Sequence, residues 1–204
     1  MARRADHTPD QLRDLIVSAA RDIIVSDGIR SLSTRAIASK IGYTSGTLYQ
    51  HFADIKEIIL HVNSLTMQGL VDQMLTNQVA DDDPRSRIHR YADIYIEYIR
   101  GNRNAWDAMF DYRRAPDEKV PAWYIGQIEK LISLVEDCFA RLDVTGKGIT
   151  PSQASRLLWA SVHSVCTLEG GGRLEFVMRE DLEVLIHRLV NVHINSFVFG
   201  PSRP

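Results

Sequence analysis

The sequence predicts an all-α fold of about nine helices, and three observations carry that expectation. Apolar residues recur at helical spacing over most of the 204 residues. The same helix-start signature, a Thr-Pro-x-Gln capping box with proline at the first helical position, stands at Thr8–Gln11 and at Thr150–Gln153. No alternating apolar–polar run exceeds four residues, and there is no internal repeat or low-complexity tract. The composition, 45% hydrophobic and 25% charged, is that of a globular chain and excludes wholesale disorder. No stretch approaches the roughly 18 apolar residues of a membrane span, and the basic start of the chain has no apolar core behind it, so a secretory signal is not expected. Two isolated cysteines, Cys138 and Cys166, make neither a disulfide framework nor a zinc site, and a cytoplasmic setting is expected.

The elements follow in order. Leu12, Leu15, Ile16, Ala19, Ala20, Ile23 and Ile24 form the apolar face of a first helix, and Gly28 is expected to end it in the left-handed conformation. Ser33 caps a short second helix that stops at Gly42, and a third starts at Thr44 or Ser45 with Leu48 and Phe52 turned inward. A fourth, from about Asp54 to Ala80, carries Ile58, Ile59, Val62, Leu65, Leu70, Met74 and Leu75. Asp83 and Pro84 open a fifth that breaks at Gly101. Residues 103–112 form a sixth, 115–121 a loop, 121–142 a seventh, 145–148 a turn. The eighth runs from Thr150 to Glu169, the glycines at 170–172 interrupt, and the ninth spans about 180–199.

Three short helices within 52 residues, with a glycine turn between the second and third, have helix-turn-helix proportions. The formal charge of −2 announces no polyanion partner, but it divides into +1 for residues 1–60 and −3 for the remainder. The basic side chains Arg3, Arg4, Arg30, Arg35 and Lys40 lie at or between these short segments. A short helix fits the major groove, where its N-terminal residues meet base edges. Residues 43–52 (YTSGTLYQHF) supply small hydroxyls, tyrosines and one histidine, all able to donate to phosphates and bases.

The string from Ser33 to Phe52, STRAIASKIGYTSGTLYQHF, closely resembles the DNA-binding region of the TetR family of bacterial transcriptional regulators; the resemblance covers about residues 10–62. It implies an all-helical homodimer, with an N-terminal operator-binding domain (1–54) and a C-terminal ligand-binding and dimerisation domain (55–204). Carried across position by position, it implies contacts to backbone and bases from Thr34 and Arg35. Tyr43, Thr44, Ser45 and Thr47 would face the groove, Tyr49 and His51 would reach phosphates together with Lys56, and Gly46 would admit close approach of the backbone. Two positions depart from the family pattern: Ser45 stands where lysine is frequent, and Ile55 precedes Lys56 where the basic residue usually stands one place earlier.

The second half carries no comparable string. Its middle helices are rich in aromatic residues and methionine, which suits a pocket between helices. Met67, Met74, Tyr91, Tyr95, Trp106, Phe110, Trp123 and His163 are the expected lining of an apolar or aromatic inducer, with a tyrosine hydroxyl, Glu97 or His163 meeting one polar group. Leu158, Val162 and Val165 on the eighth helix, and Leu185, Leu189 and Val192 on the ninth, form stripes suited to a four-helix dimer bundle. No nucleophile or metal constellation is legible: His163 and Cys166 lack a partnering acid, Asp81–Asp83 read as a capping loop, and His187 and His193 do not share a helix face. No catalysis, no cofactor and no metal are therefore expected. The function expected is a repressor that binds a pseudo-palindromic operator as a dimer and is released by its inducer, with the fourth helix as the lever. A helical small-molecule-binding protein without DNA binding is the alternative.

Overall fold

The computed structural model describes residues 7–79, 83–111, 119–142 and 148–199. Arg3, Arg4, Asp81, Asp82 and most of the 145–148 turn lie outside these. Every regular element among the described residues is helical: α1 (Pro9–Asp27), α2 (Thr34–Ile41), α3 (Ser45–Leu48), α4 (Ile55–Thr76), α5 (Pro84–Gly101), α6 (Arg103–Asp111), α7 (Ala122–Arg141), α8 (Pro151–Gly170) and α9 (Leu182–Phe199). Short 3-10 turns at Ile29–Ser31 and Leu174–Phe176 follow α1 and α8.

Both capping boxes form. The Thr8 hydroxyl accepts from the Gln11 amide at 3.3 Å, and the Gln11 side chain accepts from the Thr8 amide at 2.9 Å. Thr150 and Gln153 repeat the pair at 3.2 and 2.9 Å. Each box satisfies two donors that a helix start otherwise leaves without partners. Gly42 takes the left-handed conformation (φ 74, ψ 28), as a helix end asks. Gly28 does not: its φ is 79 but its ψ is 167, and this extended exit leads directly into the 3-10 turn. At the start of α5 the Asp83 carboxylate accepts from the Ser86 amide at 3.0 Å, and that bond holds its pKa below the usual carboxylate range. Helix α4 stops at Thr76, short of Ala80, because the Asn77 side chain donates to the Gln73 carbonyl at 2.8 Å and closes the last turn. Leu65 and Leu75 leave the expected apolar face of α4 and stand half-exposed; Ile58, Ile59, Val62, Met67, Leu70, Val71 and Met74 are buried.

The chain divides into two compact units. The described residues of Met1–Gly69 and Ile99–Tyr124 form the first, and those of Leu70–Tyr98 and Ile125–Pro204 the second. In the first, Ile16, Ala20 and Ile24 of α1 pack with Ile37 of α2, Leu48, Phe52, Ile58 and Val62 of α4, and Ala105 and Ala108 of α6. Asn104 fastens α6 to the end of α1 by donating to the Val25 carbonyl at 2.9 Å. In the second, Ile88, Ile96, Phe139, Ile186 and Ile194 are fully buried. No helix among the described residues is long and apolar enough to cross a membrane.

Candidate DNA interface and effector cavity

The candidate recognition segment, residues 43–52, is shorter than a three-turn helix. After the single turn of α3 the chain tightens: the amides of Gln50 and His51 reach the carbonyls of Thr47 and Leu48, three residues back. Leu48 and Phe52 sink into the core, which leaves the intervening side chains outward. Thr44, Gly46 and Tyr49 are exposed, Tyr49 to 56%; Ser45, Thr47, His51 and Lys56 are half-buried, and Thr44 and Thr47 share a 3.1 Å hydroxyl contact. On α2, capped by the Ser33 hydroxyl, Arg35 is exposed and Thr34 half-buried. The Tyr43 ring packs against the core while its hydroxyl meets Nδ1 of His7 at 2.8 Å.

One side chain that sequence reasoning missed holds the end of this segment. The Arg13 guanidinium, on α1, lies 4.2 Å from the centre of the Phe52 ring and donates to the His51 carbonyl. The end of the segment is thereby tied to α1. A second nitrogen of Arg13 is 3.4 Å from the Glu57 carboxylate, and Glu57 also accepts from the Ala53 amide at 2.7 Å. His61, one turn further along α4, stacks on Trp123 with ring centres 4.6 Å apart. Burial lowers the His61 pKa, the Arg13 charge adds to the shift, and Glu57 opposes both without prevailing.

The second unit contains a cavity of about 50 Å³. Its walls come from α4 (Met74), α5 (Ile88, Tyr91, Ala92, Tyr95), α7 (Leu131, Ile132, Val135), α8 (Leu158, Trp159, Val162) and α9 (Val190), and they present carbon only. The hydroxyls of both tyrosines are engaged by side chains: Tyr91 accepts from Gln78 at 2.7 Å, and Tyr95 meets Nδ1 of His163 at 2.9 Å. Burial raises the pKa of both phenols, that of Tyr95 strongly, and lowers that of His163. The Trp159 indole N–H is buried near the Tyr95 oxygen but outside hydrogen-bonding geometry.

Residues 16–62 match the family described as bacterial regulatory proteins, tetR family, and residues 88–193, over half of the chain, match the tetracyclin repressor-like C-terminal domain. The chain belongs to the TetR family. That family is one of bacterial regulatory proteins. A relative from Mycolicibacterium smegmatis, the HTH-type transcriptional activator FasR, is 24% identical over 140 residues, 68% of this chain; the match spans 64% of that relative's length. Two solved structures share the fold at lower identity. Thermus thermophilus FadR, a TetR-family transcriptional repressor in complex with lauroyl-CoA, superposes with a TM-score of 0.67 at 15% identity, covering 94% of this chain and 96% of that one. BioQ with its double-stranded DNA operator gives 0.61 at 18% identity, covering 89% and 97%.

Within this TetR-family chain, the residues expected around an effector separate. Met74, Tyr91 and Tyr95 line the cavity, and His163 stands behind Tyr95. Met67, Trp106, Phe110 and Trp123 belong to the first unit and line none of it. Trp106 is buried there because α6 is packed on α1, Phe110 beside it is 47% exposed, and Trp123 is taken by His61. Of the groups expected to meet one polar group of the ligand, the Tyr91 hydroxyl is engaged by Gln78, the Tyr95 hydroxyl and His163 are engaged with each other, and Glu97 is exposed. The dimer stripe separates likewise. Leu158 and Val162 form cavity wall and Leu185 is buried in its own unit. Val165 and Leu189 are half-buried and Val192 is 60% exposed. Leu157, Val184, Phe176, Val177 and Met178 join them as outward apolar side chains of α8, α9 and the segment between, with Phe176 80% exposed.

Proposed function

We propose that this TetR-family regulator binds a pseudo-palindromic operator as a homodimer, and that a ligand with a hydrocarbon segment, seated in the cavity of the second unit, changes its operator affinity. The observation that carries the reading is the carbon-only wall of that cavity. A ligand part that fills it forms no hydrogen bond there, which selects a plain hydrocarbon over an aromatic acid or a sugar. Acyl-CoA is the first class to test, because the FadR structure of the same fold holds lauroyl-CoA. Effector pockets generally measure about 300–1,000 Å³, so a long acyl chain must displace Met74 or Trp159 to enter.

The groove-facing set is proposed to be Thr44, Ser45 and Thr47, with Tyr49, His51, Arg35 and Lys56 reaching phosphates. A β-carbon added at Gly46 would meet nothing nearer than the Thr44 hydroxyl at 3.7 Å, an ordinary contact, so the chain itself does not require glycine there. Close approach of the operator backbone supplies the requirement. Helix α4 carries the signal, since it gives Met74 to the cavity wall and Ile58 and Val62 to the DNA-binding core. A ligand shifts operator affinity only by its differential affinity for the two states of that helix, and the coupling is reciprocal.

Fluorescence anisotropy on an operator obtained by in vitro selection tests the reading. Long-chain acyl-CoA shifts the affinity and CoA alone does not; equal affinity with every chain length defeats the assignment of the cavity. Release by the ligand is the first reading. The relation to an activator, FasR, supports ligand-dependent activation as the second, and the sign of the shift in a transcription assay separates them.

A further inference from the structure

His89 on α5 and His187 on α9 meet in the second unit through their Nδ1 atoms, 2.8 Å apart. The rings are parallel within 10° with centres 4.7 Å apart. The nitrogen separation is shorter than the roughly 3.5 Å contact of stacked rings, so the two rings meet at their nitrogen edges and not face to face. The other nitrogens are committed. His187 Nε2 stands 2.6 Å from the Asp93 carboxylate, which can only accept, and His89 Nε2 stands 3.0 Å from the Asn191 side-chain oxygen. Each neutral imidazole has one N–H: that of His187 goes to Asp93, which leaves its Nδ1 lone pair bare, and that of His89 goes either to Asn191 or to His187 Nδ1, according to its tautomer and the orientation of the Asn191 amide. In either tautomer the two Nδ1 atoms converge, and a cation that takes the place of the proton between them sits at the apex where the two lone pairs cross, off the 2.8 Å line that joins the nitrogens.

We propose that His89 and His187 form a two-point binding site for a late first-row divalent cation, Cu²⁺ or Ni²⁺ in preference to Zn²⁺. Two nitrogens bonded at about 2.0 Å and at right angles are about 2.8 Å apart, whereas tetrahedral bonding spreads them to about 3.3 Å. The observed separation fits the square arrangement. Asp93 and Asn191 hold the ring orientations, the role that carboxylates and carbonyls play behind metal-bound histidines. The side chains of His187 and Asp93 are both partly exposed, at 39% and 46%, so solvent can fill the remaining positions. Among the described residues no group of three or more His, Cys, Asp and Glu side chains is placed to hold an ion, so the protein contributes these two ligands alone.

The site ties α5 to α9, and both helices contribute cavity wall close by, at Ile88 one residue before His89 and at Val190 three residues beyond His187. A bound cation thus cross-links two walls of the cavity.

The test uses the full chain without a histidine tag. Titration with CuCl₂ followed by calorimetry and electron paramagnetic resonance is expected to show one site per chain with hyperfine splitting from two nitrogens. His89→Asn or His187→Asn lowers the affinity at least tenfold, and Asp93→Asn lowers it by about 10–100-fold. On the unsubstituted chain, the paramagnetic ion broadens the imidazole resonances of these two histidines before those of His7 or His193, a readout that depends on no variant folding. Broadening that begins at other histidines, unchanged affinity in both histidine variants, or a pair that takes up a proton but no metal overturns the proposal.

Discussion

Replacing Arg13 with methionine keeps the length of the side chain and removes the charge that holds the end of the recognition segment. Three interactions are lost: the bond to the His51 carbonyl, the contact with the Phe52 ring and the ion pair with Glu57. At this partly exposed site the first is worth about 1 kcal/mol and the second about 0.5–1 kcal/mol. The third adds about 0.5 kcal/mol, because both partners are one-third exposed and solvent screens them. The sum is about 2 kcal/mol, which lowers the unfolding midpoint by roughly 4–8 °C in a chain of this size. Operator affinity falls by a similar factor for every operator sequence. The slope of log affinity against log salt stays constant, because Arg13 is spent inside the protein and neutralises no phosphate. Arg35→Ala gives the opposite pattern: an unchanged midpoint, and a slope reduced by about one per protomer. Differential scanning calorimetry and anisotropy between low and moderate salt measure both quantities. A reduced slope with an unchanged midpoint for Arg13→Met would show that Arg13 contacts DNA and refute the bracing argument.

Gly46→Ala leaves thermal stability within about 0.5 kcal/mol, because there is room for the methyl group within the chain, yet weakens operator binding in anisotropy; unchanged binding would remove Gly46 from the interface. Ala92→Leu projects three carbons into the cavity and abolishes the response to acyl-CoA while operator binding persists; a retained response places the ligand elsewhere. Val192→Glu puts a charge on the outward face of α9 and is expected to yield monomers in sedimentation velocity, with operator affinity falling in parallel; an intact dimer would exclude that face. Burial lowers the pKa of both His61 and His163, so below histidine's ordinary 6.5 the unfolded chain takes up protons that the folded chain refuses. Their stability contribution is complete above that value and is lost as pH falls through the folded pKa. Urea midpoints at pH 7.5 and 5.5 measure it, and His163→Gln should flatten the dependence.

What the sequence made legible was local. The two capping boxes bind residues three apart, and the helix-turn-helix string occupies 20 consecutive positions, so both could be read without knowing what packs on what. The cavity was only partly legible. Tyr91 and Tyr95 announce one face of α5, but whether Trp106 lines a pocket or fills a core depends on α6 lying against α1, a contact between segments about 80 residues apart. Stripes of Leu and Val are ambiguous in the same way. Leu157 and Leu158 are neighbours of identical type, one turned outward and one into the cavity, and only the packed helix separates them. Arg13 reaches across 38 residues to His51, and His89 across 98 to His187, so neither partnership leaves a trace in spacing.

Phe176, Val177 and Met178 form an unbroken outward apolar run in the short segment between α8 and α9. Phe176 is the kind of site that chymotrypsin cuts, and a peptide bond in such a segment can enter a protease cleft that a helix cannot. The time course of that one cut then reports how often the surface is bare. Slow cleavage at high protein concentration that accelerates on dilution would measure the dissociation of whatever covers the run, without any label and without knowledge of the operator or the ligand.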